Sequence, residues 1–457
     1  MINIEKNKDY IIDITALGVN GEGIGKLNNF TVFVNGALEG EKVEIKLIKV
    51  NKSYGFGKLL KIIEASPYRV ESKCAIYNKC GGCSLQHLLY DEQIKYKKKK
   101  VIDCLIRIGK LNLKSEGIIV HDTIGMDIPY RYRNKVQLPV GDKAIGFYSA
   151  GSHNVIDVKE CIIQHEAGDK VIHIFKEWIK KYNISHYDEK KGTGLIRHIM
   201  VRKAFKTGET MVVIVTSSNK LPFAKELIEE LTLNIDGIAS IVQNINTKNT
   251  NVVLGSECKT LWGKATIIDT IGEFKFNISP LSFFQVNPIQ TEILYNKVLE
   301  YAKLQGDEVV FDAYCGTGTI SLFLSKRAKE VYGVEIIAEA IENAKENALQ
   351  NDVENAHFYT GEAEKVIPKL ISEGKKADVV VVDPPRKGCE KSLLEAIAKM
   401  SPQRIVYVSC DPATLARDLG ILEELSYRTV EVQPVDMFPM TGHVEVVTLL
   451  TRRETTK

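Results

Sequence analysis

Glu308-Val309-Val310-Phe311-Asp312-Ala313-Tyr314-Cys315-Gly316-Thr317-Gly318-Thr319 begins with a short β-rich run and ends in a turn containing two glycines. Glycine lets a chain turn tightly and approach a ligand closely, so the stretch reads as a strand feeding a ligand-binding loop. A dinucleotide fingerprint would need a third glycine, and position 321 is Ser321. The flanking sequence repeats the strand-then-helix pattern. The β-runs EVVFDAY, EVYGVEI, NAHFYTG, ADVVVVDPP, RIVYVSC, YRTVEVQPV and EVVTLLTRR are separated by helical stretches up to the sixth, and the seventh follows without one. Such alternation gives an α/β fold with a mainly parallel, seven-stranded, doubly wound sheet, whose ligands gather at the carboxyl ends of the strands.

Several residues with chemistry to offer fall at those ends. The second run closes on Glu335, where an acid can hold ribose hydroxyls. The fourth closes on Asp383-Pro384-Pro385-Arg386 and the fifth on Ser409-Cys410-Asp411-Pro412, while Gly442-His443-Val444-Glu445 leads into the seventh. Asp-Pro-Pro alone suggests methyl transfer to an exocyclic amine, but that chemistry uses a following aromatic, and here Arg386 follows. Cys410 alone reads as a buried structural thiol. Beside Asp383 and Glu445 it becomes a candidate nucleophile, with Glu445 a candidate base. Carbon 5 of uracil is a poor nucleophile until a thiolate adds at carbon 6. The acid then has work to do, because carbon 5 must afterwards lose its proton.

Ahead of this region the chain divides twice more. Residues 2–63 alternate short strands with glycine turns (YIIDITAL, GVNGEGIG, FTVFVNGAL, EKVEIKLIKV, GFGKLLKII), the pattern of a small OB-like barrel. Residues 64–275 form a mixed α/β segment, with strands at RNKVQLPV, IRHIMVRKA, ETMVVIVTS and IASIVQNIN and helices at DKVIHIFKEWIKKY and PFAKELIEEL. Residues 276–457 hold the doubly wound domain. Positions 1–110 carry 19 Lys and Arg against 12 Asp and Glu, which suits a module that meets a polyanion. The run Lys97 to Lys100, on a basic helix, is a candidate phosphate contact beside its plainer reading as a solvated face. No apolar stretch is long enough for a membrane span and the start MINIEKNKDY lacks a signal-peptide layout, so a cytoplasmic protein is expected.

Nine cysteines in a reducing compartment argue against a disulfide framework. Cys74, Cys80 and Cys83, spaced C-x5-C-x2-C, and the distant Cys161 make four thiols able to hold zinc or an iron–sulfur cluster. The radical-forming C-x3-C-x2-C signature is missed. Cys315 reads as a small packing residue.

These motifs, with Ser279-Pro280-Leu281-Ser282-Phe283-Phe284-Gln285-Val286-Asn287, resemble the RNA 5-methyluridine methyltransferases in the branch bearing a TRAM barrel and an iron–sulfur cluster. The resemblance runs along essentially the whole chain and implies a Rossmann-like methyltransferase domain that uses S-adenosylmethionine. It implies that Gln285, Tyr314, Glu335 and Asp383 contact the cofactor, with Glu362 on its adenine side. It makes Cys410 the nucleophile and Glu445 the base, lets Phe283 stack on a nucleobase, and assigns Cys74, Cys80, Cys83 and Cys161 to a [4Fe–4S] cluster. The implied partner is RNA, 23S rRNA first and tRNA second. A non-catalytic RNA-binding or assembly factor is the competing class. Tyr314 and Thr319 depart from the phenylalanine and asparagine common in the family.

Overall fold

The computed structural model describes residues 4–453. β1 (Asp9–Leu17), β2 (Gly23–Leu27), β3 (Phe30–Asn35), β4 (Lys42–Val50) and β5 (Tyr54–Glu64) close into a barrel in the order β1-β2-β3-β5-β4. Alternation puts Ile12, Ile14, Val32, Val34, Val43 and Ile45 inside. The exit is fixed by Arg69, which donates to both carboxylate oxygens of Glu41 (2.5 and 2.8 Å) and to the Gly36 carbonyl.

The basic helix α1 (Tyr90–Arg107) turns Val101, Cys104 and Leu105 into a core shared with Leu415, Leu419 and Val432 of the C-terminal domain. Next come β6 (Ile119–Val120), β7 (Lys135–Pro139), β8 (Gly146–Tyr148), β9 (Val155–Asp157), α2 (Glu166–Tyr182), β10 (Ile196–Lys203), β11 (Thr210–Thr216), α3 (Ala224–Asn234), β12 (Ile238–Ile245) and β13 (Glu257–Gly263). The strands and helices read in the central segment are all present. Its sheet runs β13-β12-β11-β10-β7, with α2 and α3 packed through Val171, Phe175, Trp178 and Leu227. The hairpin β14 (Ile267–Ile271) and β15 (Phe274–Ile278) crosses the 275/276 junction and shares a core with the last domain.

The last domain is α4 (Pro288–Ala302), β16 (Val309–Ala313), α5 (Thr319–Ser325), β17 (Glu330–Glu335), α6 (Ala338–Gln350), β18 (Ala356–Thr360), α7 (Ala363–Ser372), β19 (Val379–Val382), α8 (Lys391–Met400), β20 (Arg404–Ser409), α9 (Pro412–Glu424), β21 (Tyr427–Val435) and β22 (Glu445–Arg452). All seven expected strands form, in the order β18-β17-β16-β19-β20-β22-β21. The first five are parallel, and β22 inserts antiparallel between β20 and β21. An eighth strand, β6, pairs with β21 (Glu431↔Ile119, Val432↔Val120). Two residues carry no readable periodicity, so nothing in the sequence announced it. No helix among the described residues is long and apolar enough to cross a membrane.

Candidate active site

Strand polarity brings the ends of β16, β17, β19 and β20 to one edge, and β22 starts there because it runs the other way. Tyr314 (φ 66°), Gly316 (φ 56°) and Gly318 (φ 79°) all adopt the left-handed conformation, folding the loop back on itself. The two glycines differ in use. A Cβ on Gly316 would meet nothing within 4 Å among the described residues, so that backbone faces open space, whereas one on Gly318 would press Phe358 at 3.0 Å and Ala344 at 3.1 Å. Glu335 holds the loop from the next strand, accepting from the amides of Gly316 (3.3 Å) and Ile337 (3.0 Å). Cys315 is buried in the apolar core, in keeping with its packing role. The Thr319 hydroxyl is engaged by Tyr295 Oη at 2.9 Å.

Carboxyl groups converge beneath this loop. Asp312 is fully buried, and Ser321 Oγ donates to its Oδ2 at 2.5 Å while Oδ1 has no partner among the described residues. Burial, then the charges of Asp383 and Glu335, push its carboxyl up to about 7 despite that hydrogen bond. Burial raises Asp383 to about 6. Glu445 is pushed up to about 8 by burial and by Asp383, with Arg386 pulling the other way. A surplus of buried acid is a site that a cation would relieve.

Cys410 stands between these groups. Ser409 pairs with Val446 across β20 and β22, which puts the thiol's residue beside Glu445. Burial, then Glu445 and Asp383, push the thiol up to about 12, and Arg386 opposes them. Thiol and acids thus share one field, as their strand-end positions implied. Asp411 caps α9, accepting from the amides of Ala413 (2.8 Å) and Thr414 (3.4 Å), and so fixes the turn that carries Cys410. The Asp383-Pro-Pro-Arg segment is pinned further along: Asp418 Oδ2 accepts from the Cys389 amide (2.8 Å) and from Tyr407 Oη (2.6 Å).

The remaining candidates are placed as follows. Tyr314 is half-buried, and burial raises its phenol. Glu362 caps α7 by position after β18, and its carboxylate pairs with Lys365 at 2.5 Å. Gln285 is half-buried, its carbonyl accepting from Asn134 Nδ2 at 2.9 Å, and Phe283 is 69% exposed. Asn287 caps α4 and donates to the Met437 carbonyl at 3.0 Å, fastening the Phe283 segment to the turn ahead of Glu445.

Cys74, Cys80, Cys83 and Cys161 are half-buried and electrostatically coupled. Cys83, pushed up to about 12 mainly by burial, also feels Cys161, Cys80 and Cys74, and Cys74 acts likewise on Cys80 and Cys161. Among the described residues, no group of three or more His, Cys, Asp or Glu is gathered at ligating distance. The thiols act on one another's charge but do not close on a common centre.

The run Lys97 to Lys100 divides: Lys97 and Lys100 are claimed by the fold, while Lys98 and Lys99 stay on the surface in ion pairs. Lys97 is buried against Asp436, Lys98 pairs with Asp122, Lys99 with Glu39, and Lys100 donates to the carbonyls of Val19 and Gly442. The acids and carbonyls that claim these amines lie far away in the chain, so the run alone looked free. In the sequence Arg386 stands out only for the aromatic it replaces. Its charge acts on both Cys410 and Glu445.

A doubly wound sheet with a glycine-turn loop, a strand-end acid and an inserted antiparallel strand defines an S-adenosylmethionine-dependent methyltransferase. Residues 266–453 match the tRNA (Uracil-5-)-methyltransferase family and residues 5–60 the TRAM domain. An uncharacterized RNA methyltransferase of Clostridium tetani is 63% identical over 454 residues, 98% of each chain, and one of Clostridium acetobutylicum is 62% identical over 456 residues, 99% of each. The Pyrococcus abyssi tRNA (uracil-54, C5)-methyltransferase, solved with S-adenosyl-L-homocysteine, is 31% identical, with a TM-score of 0.78 over 96% of this chain and 99% of that one. The chain belongs to the RNA uracil-5-methyltransferase family and carries a TRAM barrel.

Proposed function

We propose that the protein methylates carbon 5 of a uridine in 23S rRNA through a covalent bond between Cys410 and uracil carbon 6, with Glu445 as the base. The observation that carries this reading is the placement of Asp383, Cys410 and Glu445 at one edge of the three neighbouring strands β19, β20 and β22. S-adenosylmethionine, when bound, supplies the electrophilic methyl group that carbon 5 accepts, together with a positive sulfonium. The Tyr314 to Gly318 loop, open above Gly316 and set beside Glu335 and Asp383 at neighbouring strand ends, fits that group, and the acid surplus fits its charge; Gln285 and Glu362 are assigned to it by their match to the family motif.

The chain's own groups do the rest. Burial and the neighbouring acids favour the protonated thiol, and each added positive charge lowers its pKa. As thiolate, Cys410 adds to carbon 6 and the electron pair moves to the uracil carbonyl as an enolate. After carbon 5 has gained its methyl, Glu445 takes the proton still on that carbon. The electrons then re-form the 5,6 double bond and expel the Cys410 thiolate. A target base must leave its stack to reach such a cleft, so a loop or flexible segment of RNA is the expected substrate.

The coupled thiols Cys74, Cys80, Cys83 and Cys161 fit a [4Fe–4S] cluster that staples residues 74–83 to the segment around Cys161 once they close on it. The cluster's part is structural or RNA-positioning, and the cytoplasm is the compartment that keeps such thiols reduced. tRNA is the second substrate reading, favoured by the likeness to the Pyrococcus abyssi enzyme. Mapping 5-methyluridine in both RNAs after gene deletion separates the two. RNA carrying 5-fluorouridine tests the chemistry: a denaturant-resistant adduct is expected, and its persistence in Cys410→Ala would sink the mechanism, as its absence would leave a non-catalytic binding factor.

A further inference from the structure

The barrel's outer wall carries three aromatic rings in mutual contact. Phe33 lies 5.8 Å from Tyr54 and 5.7 Å from Phe56, and Tyr54 and Phe56 are 5.7 Å apart, centroid to centroid. They share a face because β3 and β5 pair with Phe33 opposite Phe56. The sequence that builds this face, Tyr54-Gly55-Phe56-Gly57, inverts the usual pattern of a barrel strand: large rings point outward and the smallest residues inward. Inside there is no room for more, since a Cβ on Gly57 would come within 2.7 Å of Ile45 and one on Gly55 within 2.8 Å of the Lys49 carbonyl. Outside, Tyr54 is 40% and Phe56 37% exposed.

Cations border the rings. Lys49 pairs in register with Phe56 and sets its amine 5.8 Å from that ring's centroid, and Lys58 follows two residues after Phe56 on the same outward side. Neither lysine forms an ion pair among the described residues, whereas Lys46 nearby is spoken for by Asp9. Rings exposed beside unneutralised amines fit alternating flat, apolar bases and anionic phosphates better than the apolar side chains of a protein partner.

We propose that Phe33, Tyr54 and Phe56, flanked by Lys49 and Lys58, form a stacking platform for bases of single-stranded RNA outside the target uridine. The proposal rests on RNA being the substrate and adds a subsite remote from Cys410. Its register is loose, because every base has a face to stack, so it holds flanking RNA without choosing the uridine.

The test uses the full chain and a fluorescent oligoadenylate of about twelve nucleotides, within the range an OB-type barrel spans. It contains no uridine, so the outcome is independent of Cys410 chemistry, which the 5-fluorouridine adduct reports separately. Tyr54→Ala/Phe56→Ala is expected to raise Kd about tenfold or more, the loss typical of one stacked base. Phe56→Leu keeps apolar bulk and should also weaken binding, while Phe56→Tyr should bind within about twofold of the parent. Lys49→Ala/Lys58→Ala should lower the dependence of Kd on salt, and the aromatic variants should leave it unchanged. Unchanged Kd in Tyr54→Ala/Phe56→Ala and Phe56→Leu, the result a protein-docking face would give, overturns the platform. So does equal weakening by Phe56→Tyr, which would mark a structural ring.

Discussion

Lys100 Nζ lies 2.8 Å from the Gly442 carbonyl and 2.8 Å from that of Val19, so one ammonium joins the barrel to the turn that delivers Glu445. The junction is tight, since a Cβ on Gly442 would come within 2.9 Å of the Asn20 backbone, and Tyr96 Oη holds the neighbouring Gly18 carbonyl at 2.7 Å. Lys100→Ala leaves two carbonyls without their donor, a loss of roughly 2 kcal/mol. The expected outcome is a lower Tm together with a fall in kcat that exceeds any rise in KM for RNA, because Glu445 is displaced while the RNA surface stays. Lys100→Arg should recover part of kcat. Steady-state kinetics beside a thermal melt checks this, and an unchanged kcat would show that Glu445 does not depend on the junction.

Removing the nucleophile and removing the base should stop the reaction at different points. Cys410→Ala forms no adduct with any RNA. Glu445→Gln keeps the attack and the methyl transfer but cannot take the carbon 5 proton, so a methylated Cys410–RNA adduct should accumulate on ordinary uridine RNA. Turnover should drop by about 10²- to 10⁴-fold, the usual worth of a positioned base. Denaturing gels and intact-mass measurement distinguish the two variants, and free turnover in Glu445→Gln would send the search for the base elsewhere.

Both residues were legible because strand-end position is a topological consequence: once the alternation from Glu308 onward set the parallel sheet, Asp383, Cys410 and Glu445 had to meet. Elements held by remote partners were not. β6 owes its existence to β21, about three hundred residues later, and the amines of α1 look solvated until Asp436 and Gly442 fold against them. Arg386 was visible as a residue but not as a charge, because its effect on Cys410 depends on how the Asp383-Pro-Pro turn is pinned to Asp418. The cysteines showed their number and spacing. Their coupling across residues 74 to 161 needed the fold.

The four thiols make a prediction about content. Protein purified without air should carry iron and acid-labile sulfide in about equal amounts, and a Cys161→Ser variant should lose most of both. Cys258, exposed and far from the group in the chain, serves as the control, and Cys258→Ser should keep the full content. Zinc in place of iron would redirect the assignment to a tetrahedral thiolate site.

Lys97 and Asp436 are both fully buried, and Tyr90 Oη also donates to Asp436, at 2.9 Å. A buried pair is costly to break from one side, so Lys97→Met should destabilise the protein by about 3–5 kcal/mol, seen as a lower denaturant midpoint. Replacing both members, Lys97→Met/Asp436→Leu, removes the stranded charge and should recover much of that loss. The recovery stops short of complete, because Tyr90 is left without its acceptor. A double variant no more stable than Lys97→Met would mean that shape, rather than charge, governs this junction.

The raised carboxyls set a pH dependence whose sign is fixed. Asp383, Asp312 and Glu445 titrate in the folded chain near 6, 7 and 8, against about 4 when unfolded, so the native state binds more protons. Their contribution to stability is fully present below about pH 4 and is lost as pH rises to about 8. The Tm of the ligand-free protein should therefore fall between pH 5 and 8. Asp312→Asn should flatten that fall by on the order of 2 kcal/mol, since it cannot ionise. S-adenosylmethionine should raise the Tm by an increasing margin over the same range as the acids ionise around its sulfonium. S-adenosylhomocysteine, whose sulfur is neutral, should show a weaker trend. Parallel trends for the two ligands would place the acid surplus away from the sulfonium.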